Sequence, residues 1–384
     1  MPKLYVEDSI RYPPFESYRF NPSLLPIASK KSLLIAGVNN QEAKEHLKNL
    51  NPPFKVGEEN SWIVQRRYIH NGSEINLDSG YNTNIIDEIT EDSIIEKQRT
   101  GWYLTPNPVH AAVRRFLNFA VIVLLISLAY LFFEPILEIW GLGGFGTGRV
   151  RFGLLDYPLL AVFVIPLLFA PIIVRVIANL SDLVNQRKFL LNSPKEPIIK
   201  FNSKIVANEE INVEIEFPEM DKSWTNIEVL WRVGILPPSR ESLMKSFGKK
   251  PNQQPPPGLT TELPHHWEVN LDDGTGGGED SPMESNDVKG GLFIRPMRIM
   301  EQSQKITLDT KIISLKPPNG KWPGTLFTPL IRVHWEMVII IKRENARSLM
   351  WVEPMNVIHP NTKSEVIGSI NSGRTETNHP TTTY

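Results

Sequence analysis

The chain has 384 residues, no cysteine and a formal net charge of −1. A chain of this length accommodates two domains, each of which buries a core of its own. The balanced charge argues against a general electrostatic attraction to nucleic acid. The lack of cysteine excludes disulfides, thiolate nucleophiles and zinc sites with sulfur ligands. We therefore expect a multidomain protein with no nucleic-acid partner.

The N-terminal part of the chain predicts an arm and a small domain. Residues 1–28 are rich in proline and aromatic residues and are predicted as an extended arm. This arm lacks the apolar core of a signal peptide, so the first membrane helix must also act as the insertion signal. Residues 29–109 are predicted as a small α+β domain: a strand at Ser32–Val38, a helix capped by Asn40 and a strand at Ser61–His70 that an Asn-Gly turn ends.

Two apolar runs separated by a glycine-rich connector predict a transmembrane helical hairpin over residues 110–178. The first run, residues 116–133, contains no charge and would span about 27 Å as a helix, close to the thickness of a bilayer core. The second, residues 159–177, contains Pro166 and Pro171. A buried helix of a soluble protein is the alternative for each run, but two such runs close together favour the hairpin. The expected fold class is therefore an integral membrane protein, with the lipid bilayer as a partner.

Lysine and arginine near membrane helices are retained on the cytoplasmic side. They are more frequent on the two outer flanks of the hairpin than in its connector, which has only Arg149 and Arg151. The flanking cations are Lys97, Arg99, Arg114 and Arg115 before the first run, and Arg175, Arg187, Lys188 and Lys195 after the second. Both termini are therefore predicted to be cytoplasmic. Residues 179–195 keep helical apolar spacing and are predicted as an amphipathic stalk.

The C-terminal part, residues 196–360, changes to a period of two and is predicted as an all-β sandwich. Its most regular strand is Leu330–Lys342, in which alternate apolar residues share one side with Trp335. We expect that side to face the core. On the opposite side, the strand is expected to present three polar residues to solvent, namely Arg332, His334 and Glu336. Burial of both faces is the alternative, because Val338 and Ile340 are apolar.

Two insertions and a tail are expected to lie outside the sandwich core. Residues 237–264 and 272–290 are predicted as flexible insertions, the first with one helical turn. Residues 361–384 are polar and are predicted as a disordered tail.

The candidate site motifs each favour an ordinary structural interpretation. The run DDGTGGGEDSPME from Asp273 lacks EF-hand ligands at its third and fifth positions. His265 and His266 are adjacent on an extended segment and cannot readily share one metal, and His334 is expected to be exposed. The glycine-rich connector does not follow a strand, which a phosphate-binding loop requires. With no nucleophile, base and acid set, we predict no catalytic, cofactor-binding or metal-binding residue and no enzymatic activity.

Two segments carry a resemblance to a known family. The strand pattern of Pro317–Pro360, with a proline-glycine turn, a long strand, a polar break and a final strand, resembles the closing half of an arrestin-like domain. Ile205–Phe217 is similar to the early strand pair of that family. An immunoglobulin-like sandwich would produce much of the same pattern. The resemblance implies an adaptor that binds other membrane or membrane-associated proteins, although Pro13-Pro14-Phe15-Glu16 does not match the family's PPxY motif.

The sequence therefore predicts a membrane-anchored interaction or adaptor protein that presents a cytoplasmic β-sandwich. A subunit of a membrane transport or channel complex is the first alternative, because Pro166 and Pro171 can make the second helix irregular where it meets its neighbours. A membrane-tethered enzyme is the second.

Overall fold

The computed structural model describes residues 1–11, 21–60, 62–81, 99–105, 108–141, 144, 148–254, 256, 297 and 299–367. The chain divides into two units. Met1–Pro106 and Pro194–Tyr384 form the first, called here the β-rich unit, and Asn107–Ser193 form the second, called here the helical unit.

The β-rich unit carries all but two of the described strands. Those before the helical unit are β1 (Lys3–Arg11), β2 (Ala28–Ala36), β3 (Phe54–Gly57), β4 (Ile63–His70), β5 (Ser73–Glu74) and β6 (Gly101–Leu104). Those after it are β9 (Ile198–Phe201), β10 (Ile211–Glu216), β11 (Trp224–Leu236), β12 (Ile299–Gln302), β13 (Ile306–Thr307), β14 (Ile312–Leu315), β15 (Leu326–Phe327), β16 (Arg332–Arg343), β17 (Ala346–Met355) and β18 (Ser364–Val366).

A six-stranded sheet has the order β18-β3-β4-β1-β2, with β5 paired to β4. In this sheet β18 and β3 run parallel, and the other paired strands run antiparallel. The prediction of an extended arm is wrong for β1, because this strand pairs on both sides, with β2 and β4. The prediction of a disordered tail is likewise wrong for β18, which pairs with β3.

Helix α1 (Asn40–Leu47) covers one end of this sheet. The Asn39 side chain accepts hydrogen bonds from the backbone N–H of Gln41 and Glu42, each at 2.9 Å, and the Glu42 carboxylate accepts from the Asn39 N–H at 2.8 Å. This reciprocal capping satisfies N–H groups that a helix start leaves unpaired. The cap is therefore Asn39, one residue before the predicted Asn40. Ala43 and Leu47 pack from the helix into the core beneath it.

A seven-stranded sheet has the order β12-β11-β16-β17-β6, with β13 paired to β11 and β15 to β16. A separate three-stranded sheet has the order β14-β10-β9. These two sheets are compatible with a β-sandwich. Strand β6 falls within the range predicted for the N-terminal domain, yet it pairs with β17, far along the chain.

Burial along β16 confirms one prediction and corrects another. Trp335 is fully buried, as its position on the apolar side of the strand indicates. The exposure predicted for the other side is wrong, because His334 is 1% exposed and Glu336 is 0% exposed. Arg332 is buried as well. Strand β16 lies in the middle of its sheet, between β11 and β17, and both of its faces are covered.

The helical unit contains α2 (Pro108–Ile139), α3 (Leu159–Leu191) and a hairpin of β7 (Arg149–Phe152) and β8 (Leu155–Pro158). Helices α2 and α3 contact each other. Both extend beyond the predicted spans, and α3 continues through most of the predicted stalk. Gly153 takes a φ of 65° at the first position of the two-residue turn between β7 and β8, a conformation that glycine adopts without strain.

The predicted insertions are described in part. A short helix, α4 (Arg240–Ser246), begins after Ser239, whose hydroxyl accepts from the Ser242 N–H at 3.3 Å. This helix matches the turn predicted within residues 237–264. Residues 272–290 lie outside the described residues, as do residues 368–384 of the tail.

Candidate membrane surface and a buried arginine-glutamate cluster

Apolar side chains cover most of the surface of α2 and α3. The segments Arg115–Ile139 and Leu159–Phe189 are 25 and 31 residues long, and only 6% and 12% of their most apolar windows are buried. A helix of about 20 apolar residues crosses the hydrocarbon core of a bilayer. A core helix of a soluble protein would be mostly buried instead. Both helices are thus long and apolar enough to cross a membrane.

Ser127 and three prolines show how α2 and α3 accommodate polar and helix-breaking residues. The Ser127 hydroxyl donates to the Val123 carbonyl at 2.7 Å, one turn earlier. Pro135 in α2 and Pro166 and Pro171 in α3 each remove a backbone donor, yet both helices continue through them. Helices in membranes tolerate such prolines.

The points at which the chain leaves and re-enters the β-rich unit lie side by side. Trp102, in the strand before α2, donates its indole N–H to the carbonyl of Lys195, which follows α3, at 3.3 Å. The Trp102 ring also contacts Trp351 and Trp224, with centroid distances of 5.3 and 6.2 Å. Phe217 contacts Trp224 at 5.3 Å. An aromatic cluster therefore fixes the two ends of the β-rich unit's connection to the helices.

A buried charged cluster lies on one face of the seven-stranded sheet, and strand register assembles it. Arg232 of β11 pairs directly with Glu336 of β16, so the two side chains share a face. Arg99, from the segment before β6, donates to both Glu336 carboxylate oxygens at 2.8 and 3.0 Å. Arg232 donates to one of them as well. His334 Nε2 lies 3.2 Å from the second oxygen, without the alignment of a full hydrogen bond.

The attraction between Glu336 and the two arginines offsets the free-energy cost of burying the carboxylate. Burial alone would raise the pKa of Glu336, but the Arg232 and Arg99 charges lower that pKa well below its ordinary value. Burial lowers the pKa of His334, and the two arginines lower it further against the attraction of Glu336. The cluster therefore holds an ionised carboxylate between two guanidinium groups. Its contribution to stability is lost as the pH falls through the lowered pKa of the carboxylate.

Chemically, this arrangement is suited to holding segments together. Both oxygens of Glu336 already accept hydrogen bonds from arginine. The described cavities of about 310 and 670 Å³ are lined by other residues. The Arg99–Glu336 pair joins residues 237 positions apart and fastens the segment that leads to α2 onto the central strand of the sheet. We therefore interpret the cluster as a structural anchor.

The structure does not bring the sequence-derived candidate motifs together. His265, His266 and the run from Asp273 lie outside the described residues, as do residues 142, 143 and 145–147 of the glycine-rich connector. Within the described ranges, no group of three or more histidine or acidic residues is arranged to hold a metal ion. The predictions of no catalytic and no cofactor-binding residue stay predictions. Sequence reasoning missed the partnership of Arg99 and Arg232 with Glu336. The apolar Val338 and Ile340, on the same face as Glu336, were the available sign that this face is covered.

Comparisons with known proteins do not assign the chain to a protein family. No protein-family model matches the chain, and no curated protein matches its sequence. The arrestin-like resemblance therefore stays unsupported, and any assignment of function rests on the geometry described above.

Proposed function

We propose that the protein is a membrane-anchored interaction protein, in which α2 and α3 form a hairpin through a bilayer and the β-rich unit presents a binding surface. The observation that carries this proposal is the exposure of the two apolar helices. Exposed side chains in their middle include Leu125, Ile126, Phe163 and Phe169. Water around so large an apolar surface would be unfavourable, whereas lipid would cover it.

The contact between Trp102 and Lys195 supports a hairpin rather than a single crossing. Because the chain leaves and re-enters the β-rich unit at adjacent points, the start of α2 and the end of α3 belong on the same side of the bilayer. Two crossings satisfy this condition. The turn between β7 and β8 would then lie on the opposite side.

Charge supports a cytoplasmic β-rich unit. Arg115 lies at the start of the first span, and Arg187 and Lys188 lie in the last turns of α3. The connector has only Arg149 and Arg151, and Asp156 opposes their charge. Glu134 and Glu138 lie in the last turns of α2, next to the connector. Arg99 no longer counts as a flanking cation, because it is bound to Glu336 inside the β-rich unit. Without Arg99, lysine and arginine are still more frequent on the outer flanks of the hairpin than in its connector.

A strand edge supports the interaction role. Strand β2 lies at the end of the six-stranded sheet, and within the described residues no strand pairs with its outer side. Such an edge can accept an extended segment of another protein. The charged Lys30 and Lys31 on the same strand disfavour pairing with a second copy of the chain. The proposed partners are other membrane or membrane-associated proteins.

One observation favours the alternative of a transport or channel subunit. Asp182 of α3 is buried, and ionisable residues within membrane spans often mark transport paths. Asp182 lies beyond the first stretch of about 20 residues of α3, which is enough to cross the hydrocarbon core. The interaction role is therefore preferred, and the membrane-tethered enzyme stays a prediction without support.

Alkaline extraction of membranes tests the anchoring. We expect the full chain to stay in the membrane pellet at high pH and to be released by detergent, because two spans bury far more apolar surface than a surface contact. A Leu125→Lys variant should shift part of the chain into the supernatant, since lysine at the centre of a span costs about 2.5 to 3.5 kcal/mol. The matched control is Leu24→Lys, at an exposed position of the β-rich unit, which should behave as the unaltered chain. Release of the unaltered chain at high pH would refute the anchoring.

A further inference from the structure

Strand β2 offers an open edge for pairing over the first part of its length. It is an end strand of the six-stranded sheet, and no described strand pairs with its outer side. Residues 29–31 are all exposed, although successive side chains point to opposite faces. Leu34 is an extra residue in the register with β1, so the regular ladder ends before it. The outward N–H and C=O groups of residues 28–33 are therefore available to a segment of about six residues.

Two cross-strand rows give this edge a positive charge. The rows are Lys30, Asp8 and Arg66, and Lys31, Glu7 and Arg67. Arg66 donates to both oxygens of Asp8, at 2.8 and 3.1 Å. Arg67 donates to Glu7 at 2.6 Å. Because each row has two cations and a single carboxylate that the arginine of β4 already binds, the charge of one lysine per row remains on the edge strand.

One face of the edge also carries an apolar side chain. The Lys31 ammonium lies 4.5 Å from the centre of the Tyr5 ring, a contact that orients the ammonium without neutralising it. Leu33 points to the same face as Lys31 and is 52% exposed. A strand added to β2 would therefore meet a cation and an apolar side chain two residues apart.

Helix α4 contacts β2 and adds further positive charge. Residues 240–250 contain four cations and one carboxylate, namely Arg240, Lys245, Lys249, Lys250 and Glu241. The three lysines are exposed. Arg240 donates to the backbone carbonyls of Pro251 and Gln253, at 2.8 and 3.0 Å, and neither acceptor neutralises its charge. Two neighbouring elements thus produce a field that attracts a negatively charged partner.

We propose, on the basis of the interaction role proposed above, that β2 binds an extended acidic segment of another protein as an added antiparallel strand. Strand β2 already pairs in this way with β1, and antiparallel pairing is the more stable arrangement per residue. The segment then has an apolar residue opposite Leu33, any residue next, and two consecutive acidic residues opposite Lys31 and Lys30. A lipid surface would supply negative charge, but not the alternating N–H and C=O groups that pair with a strand edge.

The test is isothermal titration of the detergent-solubilised full chain with the peptide Thr-Thr-Val-Thr-Glu-Glu-Thr-Thr, blocked at both ends. We expect this peptide to bind, and a version with glutamine at both glutamate positions to bind about fivefold more weakly because two exposed ion pairs are lost. No binding of the unaltered peptide would overturn the proposal, as would equal binding of the glutamine version.

Backbone methylation separates strand pairing from attraction to charge alone. Two further peptides carry N-methyl groups on alternate residues, one on the odd and the other on the even positions. Successive N–H groups of a strand point to opposite edges, so one peptide should bind at least about tenfold more weakly and the other should bind as the unaltered peptide does. Equal binding of both would mean that the surface recognises negative charge alone, as a lipid headgroup supplies it, and would overturn the proposal.

Lysine variants locate the binding at β2. Replacing Lys30 and Lys31 together by glutamine should weaken binding about fivefold. The matched control replaces Lys200 and Lys204, two exposed lysines outside the six-stranded sheet, and should leave binding unchanged. Equal effects of the two double variants would overturn the proposal. Alkaline extraction measures the anchoring on membranes and peptide titration measures binding in detergent, so the failure of one leaves the other standing.

Discussion

Replacing Glu336 by alanine is expected to destabilise the β-rich unit by about 3 to 5 kcal/mol, because it leaves two buried guanidinium groups without their partner. Arg99 and Arg232 both donate to Glu336, and all three residues are almost completely buried. Chemical denaturation of the detergent-solubilised full chain, followed by tryptophan fluorescence, measures the loss. Glu336→Gln should also be strongly destabilising, since it keeps the shape of the side chain but removes the charge.

The matched control for this change is Glu344→Ala, at an exposed position just beyond the end of the same strand. We expect it to alter stability by no more than about 0.5 kcal/mol, as surface substitutions usually do. Equal effects of Glu336→Ala and Glu344→Ala would contradict the structure at β16 and restore the one-sided strand that the alternation predicts.

Trp335→Ala is expected to cost about 3 to 5 kcal/mol, the range for truncation of a large buried aromatic residue. The Trp335 indole is fully buried, packs on Trp231 with a centroid distance of 5.0 Å and donates to the Pro323 carbonyl at 3.0 Å. Alanine would leave a cavity and an unpaired carbonyl. The same denaturation experiment measures the loss.

Two further substitutions serve as controls for Trp335→Ala. Trp335→Phe should retain much of the packing but lose the hydrogen bond to Pro323, and so should be less destabilising than alanine. Ile312→Ala, a truncation of a half-exposed residue of β14, should cost well under about 1 kcal/mol. An unaffected Trp335→Ala would place the indole outside the core.

Strand β16 shows which burial predictions the alternation of apolar residues supports and which it does not. Alternation correctly placed Trp335 in the core, because every second residue of the strand is apolar. It failed for Glu336, because a charged residue in a strand indicates solvent unless its partner is known. The partner Arg99 is 237 residues away and Arg232 is 104 residues away. A single sequence without the fold gives no means of bringing these residues together.

Strand pairing explains the errors in the predicted domain boundaries. Strand β6 precedes the helices but completes a sheet made largely from the C-terminal part, and β18 comes from the predicted tail but pairs with β3. The order of elements along the chain suggests two separate domains, whereas these long-range pairings bring both halves into one β-rich unit. The apolar helices were predicted more accurately, because their signal is local and does not depend on distant partners.

Cysteine accessibility in intact cells tests the central claim, a hairpin that crosses a bilayer with the β-rich unit in the cytoplasm. The chain has no cysteine of its own, so Leu154→Cys, Ser73→Cys and Lys222→Cys each introduce a single exposed thiol. An impermeant thiol reagent should label only Leu154→Cys, at the turn between β7 and β8, and should reach the other two after permeabilisation. Labelling of Ser73→Cys or Lys222→Cys in intact cells, or protection of Leu154→Cys until the membrane is opened, would contradict the claim.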